Sequence, residues 1–127
     1  MEQTEESIYT RVGGMSTFYQ LAQAFYEGVE KDTVLRPLYP ESLEEPRLHL
    51  ALFLAQFFGG PTDYSQRRGH PRLRARHLPF KIGRTERDAW VKHMLAALDT
   101  VEMPDSAHAE MKDYFERAAT FLINQLD

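Results

Sequence analysis

His77 closes a short stretch, Pro71-Arg72-Leu73-Arg74-Ala75-Arg76-His77-Leu78-Pro79, in which one imidazole stands among leucines, prolines and arginines. Helical spacing puts Leu73 one turn before it on the same face, and Leu78, Pro79 and Phe80 follow. An imidazole so placed can project from an apolar surface while the neighbouring arginines stay in water. Neutral imidazole is a preferred axial ligand for haem iron. A lone histidine is more often a surface or hydrogen-bonded residue, and that plain reading suits His49, His70, His93 and His108 better than it suits His77.

Arg67, Arg68, Arg72, Arg74 and Arg76 crowd the same region, with His70 among them. Haem carries two propionates at one edge, and arginine pairs with carboxylates through two parallel hydrogen bonds. Most of the five are expected to form a solvated basic face, with one or two near the propionates; Arg76, beside His77, is the candidate. Tyr26, Tyr39 and Trp90 form a second group. Each has a polar atom that needs a partner when buried. Taken singly, each reads as ordinary amphipathic core. Three convergent donors around one cavity could instead hydrogen-bond oxygen or a related ligand on iron.

Other chemistries lack their residues. The chain has no cysteine, which removes disulfides, thiolate zinc sites, iron–sulfur clusters and covalent haem attachment. It has no phosphate-binding glycine loop, no H-E-x-x-H pair and no G-x-S-x-G elbow. A net charge of −4 disfavours general nucleic-acid binding. The acidic start, Met1-Glu2-Gln3-Thr4-Glu5-Glu6, is no signal peptide, and the longest apolar run, residues 50–55, falls far short of the roughly 20 residues a membrane span needs. The expectation is a cytoplasmic protein with no membrane partner. The 127 residues, 43% of them hydrophobic, suit one globular domain over 1–127.

The elements that must position these residues all carry the helical period. Residues 17–30 place Phe18, Leu21, Ala22, Phe25 and Val29 at three- and four-residue steps, with Ser16 or Thr17 as the expected N-cap after the Gly13-Gly14 turn. Residues 43–58 place Leu50, Phe53, Leu54 and Phe57 on one face, and Gly59-Gly60-Pro61 stops them. Residues 63–76 read as a loop, then a short helix from near Pro71 that ends before Pro79. Residues 86–98 carry the stripe Trp90, Val91, Met94, Leu95 and Leu98. Pro104-Asp105-Ser106 starts a last helix with Met111, Tyr114, Phe115, Ala118, Leu122 and Ile123 inward. No segment alternates as a strand does. The fold class is all-α, with about four main helices.

Leu35-Arg36-Pro37-Leu38-Tyr39-Pro40-Glu41, Phe53-Leu54, Gly59-Gly60-Pro61, Tyr64-Ser65, Arg68-Gly69-His70-Pro71-Arg72-Leu73-Arg74, Arg76-His77 and Arg87-Asp88-Ala89-Trp90 follow one another in an order and spacing that resembles the group II truncated haemoglobins. The likeness runs from about Ile8 to Leu126. It implies a two-over-two helical sandwich around haem b. It also implies His77 as proximal ligand, Tyr26, Tyr39 and Trp90 as polar distal residues, and Leu50 as an apolar distal residue. Phe25, Phe53, Leu73, Phe80, Ile82 and Met94 are the implied pocket wall. Gly13-Gly14 and Gly59-Gly60 correspond to paired glycines free to take positive φ. Three positions depart from the pattern. Pro46 falls where other globins carry a distal histidine or small gate residue, Phe58 replaces a tryptophan, and Ala75 replaces a methionine.

The leading expectation is a protein whose five-coordinate haem binds O2 and performs redox or detoxifying chemistry on O2, NO or peroxide, served by an unidentified reductase. Two other readings stay open at this point. One is a six-coordinate haem protein for electron transfer or sensing, with His49 as the nearest second ligand. The other is a cofactor-free helical interaction module that uses the arginine cluster. Monomer and homodimer are equally compatible with the sequence.

Overall fold

In the computed structural model, which describes residues 6–125, the stripe read at 17–30 becomes a helix of 17 residues. The acidic start up to Glu5 and the last two positions lie outside the described residues. The elements are α1 (Ile8–Arg11), α2 (Met15–Lys31), a single 3₁₀ turn (Arg36–Leu38), α3 (Glu44–Phe57), α4 (Asp63–Arg68), α5 (Leu73–His77), α6 (Arg84–Asp99) and α7 (Asp105–Phe121). No strand occurs among the described residues.

Helix α2 is the spine. It packs on α3 and on α6, and α6 packs on α7, so two helix pairs meet through α2 and α6. Phe18, Leu21, Phe25 and Val29 of α2 are fully buried, with Met94 and Leu98 of α6 and Met111 and Phe115 of α7. Each such side chain stabilises the fold by about 1.5–3 kcal/mol. The expected cap of α2 is corrected. Gly14, at φ 83°, is its N-cap, a conformation that Ser16 or Thr17 would reach only with strain. Thr17 lies inside the helix and donates its hydroxyl to the Val12 carbonyl at 2.6 Å.

Pro46 does not delay α3. It is the third residue of the helix, where its missing N–H has no carbonyl to meet. The inward face of α3 is broader than the expected stripe. Ala51, Leu52 and Ala55 are buried beside Leu54, because α3 is covered by both α2 and α4. Phe57 is 52% exposed and stacks on Tyr114 with ring centroids 4.2 Å apart.

Helix α4 stands where a loop was expected. Its six residues are too few to show a period, and Tyr64 alone is buried. Asp63 in its first turn and Arg67 and Arg68 in its last suit the helix dipole. The Gln56 amide holds it from α3, donating to the Ser65 hydroxyl at 2.8 Å and accepting the Ser65 N–H at 3.0 Å. Arg72, at φ 46°, then precedes α5, so the helix begins at Leu73 and not at Pro71.

The glycine pair after α3 works in two ways. Gly59 takes φ 103°, as expected, whereas Gly60 does not take positive φ. A Cβ on Gly60 would collide with the Tyr9 ring of α1 and lie 2.8 Å from the Ala55 carbonyl. Gly60 therefore lets α1 seat against the end of α3, where Tyr9 N–H donates to the Phe58 carbonyl. Gly60→Ala is expected to cost about 1–3 kcal/mol, typical of overpacking. The measurement is a lower urea midpoint with an unchanged slope.

Candidate functional site

One apolar cavity of about 290 Å³ opens between the helix pairs. Tyr26 of α2 lines it, as do Leu35, Leu38, Tyr39 and Pro40 around the 3₁₀ turn. Leu50, Phe53 and Leu54 come from α3, and Leu73 and His77 from α5. Phe80 and Ile82 follow α5, Glu86, Arg87 and Trp90 belong to α6, and Tyr114, Phe115, Ala118 and Ala119 to α7, with Leu122 just after it. Nearly every residue singled out in the sequence for this purpose is therefore on one wall or another.

His77 sits at the last position of α5. Its Nδ1–H donates to the Leu73 carbonyl, one turn earlier, at 2.6 Å. That bond fixes the ring and leaves Nε2 with its lone pair, the form a metal ligand needs. The chain beyond is pinned from far away. Asn124 donates to the carbonyls of His77 at 3.3 Å and Phe80 at 2.9 Å, and its Oδ1 accepts the Ile82 N–H at 2.9 Å. Nothing in the local sequence announced Asn124.

Tyr26, Tyr39 and Trp90 converge. The Tyr26 hydroxyl and the Trp90 indole N–H both lie near the Tyr39 hydroxyl, close enough to act on its titration. The two tyrosine rings meet edge to face at 5.4 Å, and Trp90 packs on Phe25 at 5.4 Å. Burial pushes the Tyr39 phenol up to about 12 from its ordinary 10.0, partly offset by the nearby Tyr26 hydroxyl and Trp90 N–H. Burial likewise raises Tyr26, helped by the neighbouring Tyr39. Burial also raises Tyr114 to about 12. These groups keep their protons more tightly when folded. Their contribution to stability is thus complete below pH 10 and is lost as pH rises through about 12. Denaturant melts at pH 9, 10 and 11 should show the unfolding free energy falling only above pH 10.

Three expected wall or edge residues stand elsewhere. Phe25 and Met94 are fully buried in the core behind the cavity. Arg76 does not line the cavity, and its guanidinium donates to the carbonyls of Pro71 at 2.7 Å and Arg68 at 2.8 Å. The arginine that does line it is Arg87 of α6, held by Thr120 Oγ1, the Glu116 carbonyl and Asp88. His49 lies outside the lining, with Arg68 Nη1 2.9 Å from its Nδ1. Burial, then the Arg68 charge, lowers its pKa. Pro46 is not part of the lining either. The α7 contribution was missed as a wall, although its apolar stripe was visible.

The donor set favours a macrocyclic cofactor. No three His, Cys, Asp or Glu residues among the described residues cluster to hold a bare metal ion. A single free imidazole nitrogen in an apolar slot would suit an iron whose remaining protein-independent ligands a porphyrin supplies. The bacterial-like globin family matches this chain over residues 7–124.

The chain belongs to that family.

This globin is 35% identical to the group 2 truncated hemoglobin YjbI of Bacillus subtilis over 127 residues, all of this chain and 96% of the relative. Its structure superposes on the hemoglobin of the thermophilic phototrophic bacterium Chloroflexus aurantiacus with a TM-score of 0.93. That pair is 51% identical, and the match covers 95% of this chain and 100% of the other. The group II truncated hemoglobin of Bacillus anthracis matches at TM-score 0.94 and 30% identity, over 98% and 96% of the two chains. The group II likeness read from the sequence, and the all-helical truncated-globin fold it implied, are thereby established. A globin uses haem to bind small ligands such as O2, and this one does so without any helix, among the described residues, long and apolar enough to cross a membrane.

Proposed function

We propose that the protein carries haem b, bound to His77 alone, and binds O2 reversibly beside Tyr26, Tyr39 and Trp90. The carrying observation is that His77 and this trio line one apolar cavity while the Leu73 carbonyl orients the imidazole. When bound, haem supplies an iron that takes O2, NO or CO and can change oxidation state. The chain supplies everything else. His77 anchors the cofactor. Leu50, Phe53, Leu73, Phe80 and Ile82 form apolar contacts and exclude water. Arg87, already oriented by Thr120 and Glu116, is the cavity-side cation for a propionate. Tyr39 and Trp90 place polar hydrogens where a ligand that gains negative charge would meet them.

Three donors hold such a ligand tightly, and a carrier needs fast release, so storage, redox detoxification or sensing fits better than transport. A reductase that keeps the iron ferrous belongs to this reading, as does a cytoplasmic setting. Five-coordination is supported by His49, which stands outside the cavity lining against Arg68. The test is titration of the purified full chain with haemin. Saturation at one haem per chain, with a b-type pyridine haemochrome, is expected. Absence of saturable binding would overturn the proposal.

A further inference from the structure

Asp32 caps the C-terminal end of α2 and is held on three sides. Its Oδ1 accepts the backbone N–H of Val34 at 2.8 Å and of Leu35 at 3.0 Å. Its backbone carbonyl accepts the Arg36 N–H at 2.9 Å. These bonds turn the chain out of α2 and into the 3₁₀ turn that delivers Tyr39. The remaining oxygen, Oδ2, accepts His93 Nε2–H at 2.6 Å. Both side chains are mostly buried, at 15% and 18% exposure. His93 lies three residues after Trp90, on the next turn of α6.

The segment that carries Tyr39 and the helix that carries Trp90 are thus tied twice. The inner tie is the meeting of Tyr39 and Trp90 on the cavity wall. The outer tie is Asp32–His93, a few residues away on each side and joining the same two elements. The His93 ring has little room to drift, because Gly28 of α2 lies against it and a Cβ there would collide with Nδ1. The partners of the Asp32 carboxylate are the His93 ring and the N–H groups of Leu35 and Val34, and together they hold it below the usual carboxylate range.

We infer that Asp32 and His93 are positioning residues, an outer clamp that holds Tyr39 in register with Trp90. This deepens the ligand-binding reading above, on which its ligand-release arm rests. The clamp keeps its sense across neutral pH. His93 Nε2–H donates to the carboxylate whether the ring is neutral or charged. Asp32→Asn changes that logic while keeping the shape. The carboxamide oxygen can still accept the Val34 and Leu35 N–H groups, and its NH2 can donate to a neutral His93. A protonated His93 would instead set two donors face to face, and the tie would open.

The experiment reads the indole N–H of Trp90, the one tryptophan in the chain, by NMR on the full-length protein with haem and CO. Solvent exchange of that proton and the O2 release rate are followed from pH 5.5 to 8. Wild type should show slow exchange that lacks any step attributable to the clamp across this range. Asp32→Ala should speed exchange roughly tenfold and O2 release several-fold. Asp32→Asn should match wild type at pH 8 and Asp32→Ala at pH 5.5. His93→Gln, which donates without titrating, should keep the slow exchange at both ends. Unchanged exchange in Asp32→Ala would overturn the clamp. So would a pH-independent Asp32→Asn, which would confine Asp32 to its turn. If Asp32→Ala does not fold, the two pH values of Asp32→Asn decide the matter within one folded protein. If no O2 binds, the function proposed above fails, while indole exchange still judges the clamp.

Discussion

Replacing Tyr26, Tyr39 and Trp90 together by phenylalanine is expected to speed O2 release by about 30- to 1,000-fold. The estimate follows from the number of hydrogen bonds lost. Two or three neutral donors at about 1–1.5 kcal/mol each amount to roughly 2–4 kcal/mol, and 1.4 kcal/mol is a factor of ten. Phenylalanine keeps the ring contacts of the tyrosines, such as the 5.4 Å edge-to-face pair, so the change isolates the polar hydrogens more than the packing. The single replacements should not add. The polar groups of Tyr26 and Trp90 lie beside that of Tyr39, so loss of Tyr39 also changes their surroundings. Stopped-flow O2 displacement by CO reads the effect. A triple variant that releases O2 at the wild-type rate would remove the trio from ligand control.

The second large effect concerns His77. His77→Gly should weaken haem retention by more than about a hundredfold, since even a lost outer-shell partner of a ligating histidine costs roughly 10–100-fold in metal affinity. The glycine leaves the wall otherwise in place, because Leu73, Phe80 and Ile82 come from separate positions along the segment. Free imidazole at millimolar concentration should therefore enter the vacated space and restore the haem spectrum. Transfer of haem to an apo-globin acceptor, with and without imidazole, measures this. Equal retention by wild type and His77→Gly would assign the iron to another ligand.

The parts of the molecule that the sequence revealed are those with a long period or an uncommon local pattern. The stripe on α2 was legible because Phe18, Leu21, Phe25 and Val29 all point into one core and are all fully buried. His77 was legible as a cavity residue because Leu73 and Phe80 flank it on the same apolar wall. Tyr26, Tyr39 and Trp90 acquired a shared purpose only through the resemblance to truncated haemoglobins, since each alone reads as core. What stayed hidden depends on contacts between distant segments. Helix α4 has too few residues for a period and is recruited by Gln56 of the preceding helix. Asn124 pins the segment after His77 from near the end of the chain. Asp32 meets His93 across the α2–α6 contact. Polar side chains of this kind carry no periodic signal, because one hydrogen bond at one position is enough.

Arg76 and Met94, expected at the cavity, lie off its lining. Proximity to His77 in sequence suggested a propionate contact for Arg76. Yet its guanidinium finds the Pro71 and Arg68 carbonyls first, which braces the turn between α4 and α5. Met94 lies on the same helix as Trp90, but one turn further along, where α6 already faces the core and not the cavity. Arg87, by contrast, reaches the cavity from α6 while remaining bonded to α7. Position along a helix, more than residue type, decides which of these side chains lines the cavity.

The central claim is a haem held by His77 with a position left free for small ligands, and the visible spectrum of the haem-loaded full chain tests it most directly. The protein would be recorded oxidised, then reduced with dithionite under anaerobic conditions, then exposed to CO. A strong Soret band, a five-coordinate high-spin ferrous spectrum before CO, and a sharp shift on adding it are expected. A low-spin ferrous spectrum before CO, or no Soret band under any loading condition, would contradict that claim.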